Sequence, residues 1–185
     1  MQIRLAAPIQ IDSVVDGEGI RAVIWTQGCP HNCLGCHNPG THDFKGGYLE
    51  DIETLKKEID SLEGQDGITF SGGDPLMQID ACLELAKHSK KRGLNVWCYT
   101  GFTFEQLLIM SKTNNALVEL LNNIDVLVDG KFDLAKKSFE APFRGSTNQR
   151  VLDCKESIKQ QIPIEIEEYI YYENGVEKKE KDIYI

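Results

Sequence analysis

The chain has no excess of positive charge, no long apolar run and no internal repeat. Lys and Arg number 20 against 29 Asp and Glu, a formal net charge of −9. A nucleic-acid groove or an anionic membrane surface needs clustered cations, so neither is an expected partner. No apolar stretch is long enough to span a bilayer. The opening Met1-Gln-Ile-Arg-Leu-Ala-Ala-Pro-Ile-Gln10 lacks the basic start and long apolar middle of a signal peptide, so the expected location is cytoplasmic. What is present is an ordinary globular balance, 41% hydrophobic and 26% charged over 185 residues. That excludes wholesale disorder and suits one domain with a real core.

The six cysteines are the unusual part of the composition, and their placement is uneven. Of six cysteines, three lie in Cys29-Pro-His-Asn-Cys33-Leu-Gly-Cys36. In a reducing compartment a cluster of this kind points to metal ligation or catalysis rather than to disulfides. A fourth cysteine is missing. A closed zinc site wants four ligands, and a conventional ferredoxin cluster wants four thiolates. Two readings follow from the spacing. One is an iron–sulfur cluster with one iron left open. The other is a zinc site, in a non-catalytic interaction module, completed by His31, His37 or His42. Cys82 and Cys98 fall on apolar faces and read as small buried hydrophobes, while Cys154 carries no evident role. His88 reads as a solvated helix residue. Trp25 and Trp97 read as core.

Hydrophobic periodicity divides the chain into alternating elements. Arg21–Gln27, Gly67–Ser71, Asn95–Tyr99, Asp125–Asp129 and Gln149–Asp153 read as strands. Ile52, Leu55, Ile59 and Leu62 repeat at helical spacing up to a stop at Gly64. Ile79, Cys82, Leu83 and Ala86 predict a second helix, with Asp74 as N-cap, Pro75 as its first residue and Gly93 as its stop. Thr103 and Gln106 predict a capping box, and Leu117, Leu120 and Leu121 mark another helix. The alternation predicts an α/β fold with a parallel sheet. In the last thirty residues Ile162, Ile164 and Ile166 alternate with polar positions, and Asn174-Gly175 signals a hairpin. Residues 1–158 are therefore expected to form the main domain and 159–185 a small C-terminal β appendage, rich in exposed Tyr and Glu and suited to docking.

Four polar or glycine-rich loops follow four successive strands. They are the cysteine loop, Ser71-Gly-Gly-Asp74, Thr100-Gly101 and Asp129-Gly-Lys131. Parallel α/β folds build their ligand sites at the carboxyl ends of strands, so these loops predict one shared site. Gly72 and Gly73 would let a ligand approach the backbone closely. Asp129 and Lys131 would present opposite charges to a zwitterionic ligand. Arg144-Gly-Ser-Thr-Asn148 is a further polar loop that sequence alone leaves without a role.

The cysteine spacing after a first strand, with Gly-Gly-acidic after the second, resembles the radical S-adenosylmethionine (SAM) enzymes. Val15-Asp-Gly-Glu-Gly-Ile-Arg21, Gln27-Gly-Cys29 and Cys36-His-Asn38 are similar to the glycyl-radical-enzyme activases. Ser71–Leu76, Tyr99-Thr-Gly101, Val126–Phe132 and Arg144–Gln149 resemble the branch of those activases that serves anaerobic ribonucleotide reductases. The likeness runs in order over roughly residues 10 to 153.

The resemblance implies a partial, open (β/α) barrel and an oxidoreductase. It implies a [4Fe-4S] cluster held by Cys29, Cys33 and Cys36, with SAM chelated at the fourth iron. Reductive cleavage of SAM would give a 5′-deoxyadenosyl radical that takes a hydrogen atom from a glycine of the large reductase subunit. A flavodoxin or ferredoxin would donate the electron. The cofactor contacts implied are Gly35, Cys36, His37, Gly72, Gly73, Asp74, Asp129 and Lys131. The aromatic residue common before the third cysteine is replaced by Gly35, which leaves His37 as the candidate for the adenine. The inserted cysteine quartets of some other activases are absent, since the remaining three cysteines are far apart.

Overall fold

The computed structural model describes residues 1–171. It is a mixed α/β fold. One eight-stranded sheet is built from β1 (Gln2–Leu5), β2 (Gln10–Ser13), β3 (Arg21–Thr26), β4 (Tyr48–Asp51), β5 (Gly67–Gly72), β6 (Asn95–Tyr99), β7 (Val126–Asp129) and β8 (Arg150–Asp153). The order is β4-β1-β3-β5-β6-β7-β8, with β2 also paired to β3. Five helices complete it: α1 (Ile52–Asp60), α2 (Ile79–Lys91), α3 (Phe104–Ser111), α4 (Asn115–Asn123) and α5 (Cys154–Gln160).

Only β3, β5, β6 and β7 run parallel. The expectation of a parallel sheet is corrected at both ends, where β1, β2, β4 and β8 pair antiparallel. The physical reason at β8 is its connection. The stretch from β7 to β8 holds one short 3₁₀ turn, Leu134–Lys136, and no crossover helix, so the chain returns alongside β7 in the opposite direction. Strands β1, β2 and β4 are four residues each, buried only at Ile3, Leu5 and Ser13, and too short for alternation to reveal them.

The strands alternate between two faces. Ala22, Ile24, Ile68, Phe70, Val96, Cys98, Leu127 and Leu152 point to the helices and join Leu55, Leu85, Leu107 and Leu120 in the main core. Each buried side chain of this size stabilises by about 1.5–3 kcal/mol on transfer. The other face carries Trp97, Val126, Val128 and Val151, covered by Phe143, Ile166 and Tyr169. Trp97 and Tyr169 each meet Phe143 edge-on at 5.2 Å. Arg21 is buried on this face beside the Trp97 ring, and its guanidinium bonds to Thr69, Asn95 and the Ile68 carbonyl. Burial lowers that guanidinium to about 10.

Helix ends follow their caps. The capping box of Thr103 and Gln106 opens α3. Asp74 caps not α2 but the 3₁₀ turn Pro75–Gln78, and α2 begins at Ile79, so the predicted start moves by one turn. Helix α1 ends at Asp60, before Gly64. Trp25 is only half-buried and bonds Gln10, not the fully packed residue expected.

Residues 162–170 lie along β8. Glu165 bridges Leu152, and Ile166 N–H donates to the Val151 carbonyl. Tyr169 is 9% exposed and its hydroxyl bonds Glu18, which corrects the expectation of an exposed tyrosine there. Burial and the Glu18 carboxylate push its hydroxyl pKa up. The expected Asn174-Gly175 hairpin lies outside the described residues. Among the described residues no helix is long and apolar enough to cross a membrane.

Candidate active site

The carboxyl ends of β3, β5, β6 and β7 surround an open cavity of about 120 Å³. Cys29, Cys33 and Cys36 line it together with Gly72, Gly73, Thr100, Gly101 and Lys131. Four loops that are far apart in sequence thus meet at one place. His31, His42, Ser71, Tyr99, Phe132 and Gln149 join them.

The cysteine loop has little regular structure because its backbone is spent on turns and side-chain bonds. Gly28 N–H donates to the Thr41 carbonyl, and Cys36 N–H donates to Cys33. The buried Gln27 amide donates to the carbonyls of Gly40 and Asp43. The three thiols are unpaired and half-exposed. Burial pushes the Cys29 and Cys33 thiols up, and the neighbouring cysteines add to this, while a Phe132 backbone contact and Lys131 pull Cys33 down. Iron binding must displace those protons.

The donor set is three cysteine thiols around one cavity. A cluster takes each thiolate on a different iron, so three thiols around one cavity suffice for three corners.

Gly72 and Gly73 are glycines for a reason set by the sheet. Gly72 has φ +100°, and a Cβ there would stand 2.5 Å from the Thr26 carbonyl oxygen. A Cβ on Gly73 would stand 2.5 Å from the Gly28 carbonyl oxygen. The loop after β5 therefore lies directly against the start of the cysteine loop. Gly73 N–H donates to Thr26 and Asp74 N–H to Gly28.

The two acids lie deeper than the sequence suggests. Asp74 is fully buried and accepts from His31 Nε2, Thr100 Oγ1 and the backbone N–H groups of Leu76 and Gly101. Asp129 is 1% exposed and is gripped by Arg150 and by Phe104 N–H. Its partner is Arg150, not Lys131. It borders a neighbouring cavity rather than the one between the cysteines. Gly35 packs on Leu134, and His37 rests against Phe132 with ring centroids 5.0 Å apart; both are exposed and neither lines the cavity between the cysteines. The Val15–Arg21 motif covers the amino end of β3, where Ile20 N–H donates to Asp66 and the Asp16 carbonyl accepts from Thr69.

Five residues at the cavity, His31, His42, Tyr99, Phe132 and Gln149, escaped sequence reasoning as cofactor-site members. Tyr99 and Phe132 border recognised motifs, and their aromatic character was a usable signal. His31 was visible only as a zinc candidate, because its partner Asp74 is distant in sequence.

The chain is similar to several known proteins. The family described as "4Fe-4S single cluster domain" matches residues 15–152. An anaerobic ribonucleoside-triphosphate reductase-activating protein from Haemophilus influenzae is 33% identical over 144 residues, covering 74% of this chain and 89% of that protein. The protein of the same name from Escherichia coli K12 is 33% identical over 147 residues, covering 75% of this chain and 91% of that one. Among solved structures, QueE from Escherichia coli is similar over 55% of this chain and 53% of that chain, at 18% identity and a TM-score of 0.46.

Proposed function

The chain belongs to the anaerobic ribonucleoside-triphosphate reductase-activating protein family, and from that premise we propose how its residues install a glycyl radical on the reductase. The observation that carries the reading is the meeting of Cys29, Cys33, Cys36 and the Gly72-Gly73 backbone around one open cavity. A bound [4Fe-4S] cluster would supply the electron for reductive cleavage of SAM, the chemistry that installs the glycyl radical.

The chain's own work is placement. Cys29, Cys33 and Cys36 would hold the cluster, in the cavity that Gly72 and Gly73 also line. Those glycines offer backbone groups to the amino acid part of SAM. Lys131, the cation on the cavity wall, faces its carboxylate. Phe132, backed by His37, offers a flat apolar surface to the adenine. Asp74 and Asp129 support the cavity through His31 and Arg150. No general base is needed, because the transfer is of a hydrogen atom. The electron donor is a flavodoxin or ferredoxin.

We further propose that the sheet is the family's open (β/α) barrel, with β4 and β8 as its free ends. Residues 1–158 would be the catalytic unit and 159–185 the appendage that helps dock the reductase. The location is cytoplasmic.

The test is SAM cleavage by the anaerobically reconstituted, dithionite-reduced protein. The native chain should release methionine and 5′-deoxyadenosine, and Cys33→Ala should release none. Full 5′-deoxyadenosine production by Cys33→Ala would reject the cluster assignment.

A further inference from the structure

His31 lies between two of the cluster cysteines and lines the same cavity, and its ring reaches across to Asp74. Its Nε2 is 2.7 Å from Asp74 Oδ2, and the two side chains are 6% and 1% exposed. The Asp74 oxygens already accept from two backbone N–H groups and the Thr100 hydroxyl. A carboxylate so surrounded accepts, so Nε2 is the protonated nitrogen of the ring. Phe102 closes the other side, edge to ring at 4.6 Å. A Cβ on Gly101 would collide with this ring, which explains why glycine follows Thr100.

We propose that His31 is a positioning residue. Its hydrogen bond to Asp74 clamps the cysteine loop to the Gly72-Gly73 loop and to Thr100-Gly101, and so fixes the three thiols relative to the backbone that would receive SAM. The proposal rests on the function proposed above, but the clamp itself belongs to the bare chain. The cysteine loop has few other side-chain anchors across the cavity. The acid after Gly-Gly then acts from beneath the site, through the histidine, rather than by touching the cofactor.

The clamp predicts three linked results. In the metal-free chain, His31→Ala should raise hydrogen–deuterium exchange of residues 29–36 by about tenfold, the loss of one charge-assisted hydrogen bond. His31→Gln places an amide N–H near the position of Nε2 and should restore most of the protection. In the reconstituted protein, His31→Ala should still bind iron and sulfide but should weaken SAM binding by about tenfold, read from the change SAM makes in the electron paramagnetic resonance spectrum of the reduced cluster. Combining His31→Ala with Asp74→Asn should cost no more than the larger single change, because both remove the same bond. Native-like protection of residues 29–36 in metal-free His31→Ala would overturn the clamp, as would native SAM affinity. A native chain that binds no cluster would instead reject the function, leaving the exchange result to judge the clamp.

Discussion

Cysteine reactivity separates the two halves of the cysteine set. Cys29, Cys33 and Cys36 are half-exposed, whereas Cys82, Cys98 and Cys154 are buried among apolar side chains. Burial pushes all three of the latter up, Cys154 to about 12, so they are thiols at any ordinary pH. Iodoacetamide on the folded, metal-free chain at pH 8 should therefore add three carboxamidomethyl groups, and six after unfolding in guanidinium. Mass spectrometry checks this, and equal labelling of Cys82 in the folded chain would contradict the packing. This division was legible in the sequence, since the apolar neighbours of Cys82 and Cys98 marked them as core. The depth of Asp74 and Asp129 was not. Whether an acid faces a ligand or a buried partner depends on His31 and Arg150, which reach them across 43 and 21 positions.

At the scale of elements, α3 is tied to the sheet by one arginine. Arg150 on β8 bonds Asp129 on β7 and reaches Glu105 in the first turn of α3 at 2.9 and 3.0 Å. The guanidinium holds the Glu105 carboxyl down to about 2. A depressed carboxylate adds stability above its unfolded pKa and loses it as pH falls through the folded value. Glu105→Gln should therefore be less stable than the native chain at pH 7, by no more than about 1 kcal/mol because Glu105 is 54% exposed. The gap should shrink as pH falls from about 4.5 toward 2. Paired denaturation curves at pH 7 and pH 3 measure it, and a gap that widens in acid would contradict the tie. The long periodic elements were readable because their apolar spacing survives in sequence, as in α2. The short β1, β2 and β4 were not, because four residues hold at most two turns of a two-residue period, too few to stand out from a loop. The direction of β8 depended on the absence of a crossover helix, a property of the connection rather than of the strand.

For the whole molecule, the fold divides its labour between the two faces and the two ends of the sheet. The helix-covered face supplies the main core, and the other face is closed by Trp97, Phe143 and Tyr169. The four strand-end loops meet around one cavity at the carboxyl ends of the parallel strands. The net charge of −9 suits a protein substrate rather than a nucleic acid, although the reaction serves nucleotide reduction. The direct test of the account is electron paramagnetic resonance of the reductase after mixing it anaerobically with the reconstituted chain, SAM and a reductant. A glycyl radical signal should appear on the reductase, and it should vanish when Cys33→Ala replaces the native chain. An equal radical yield with Cys33→Ala, or no radical from a native chain that cleaves SAM, would contradict it.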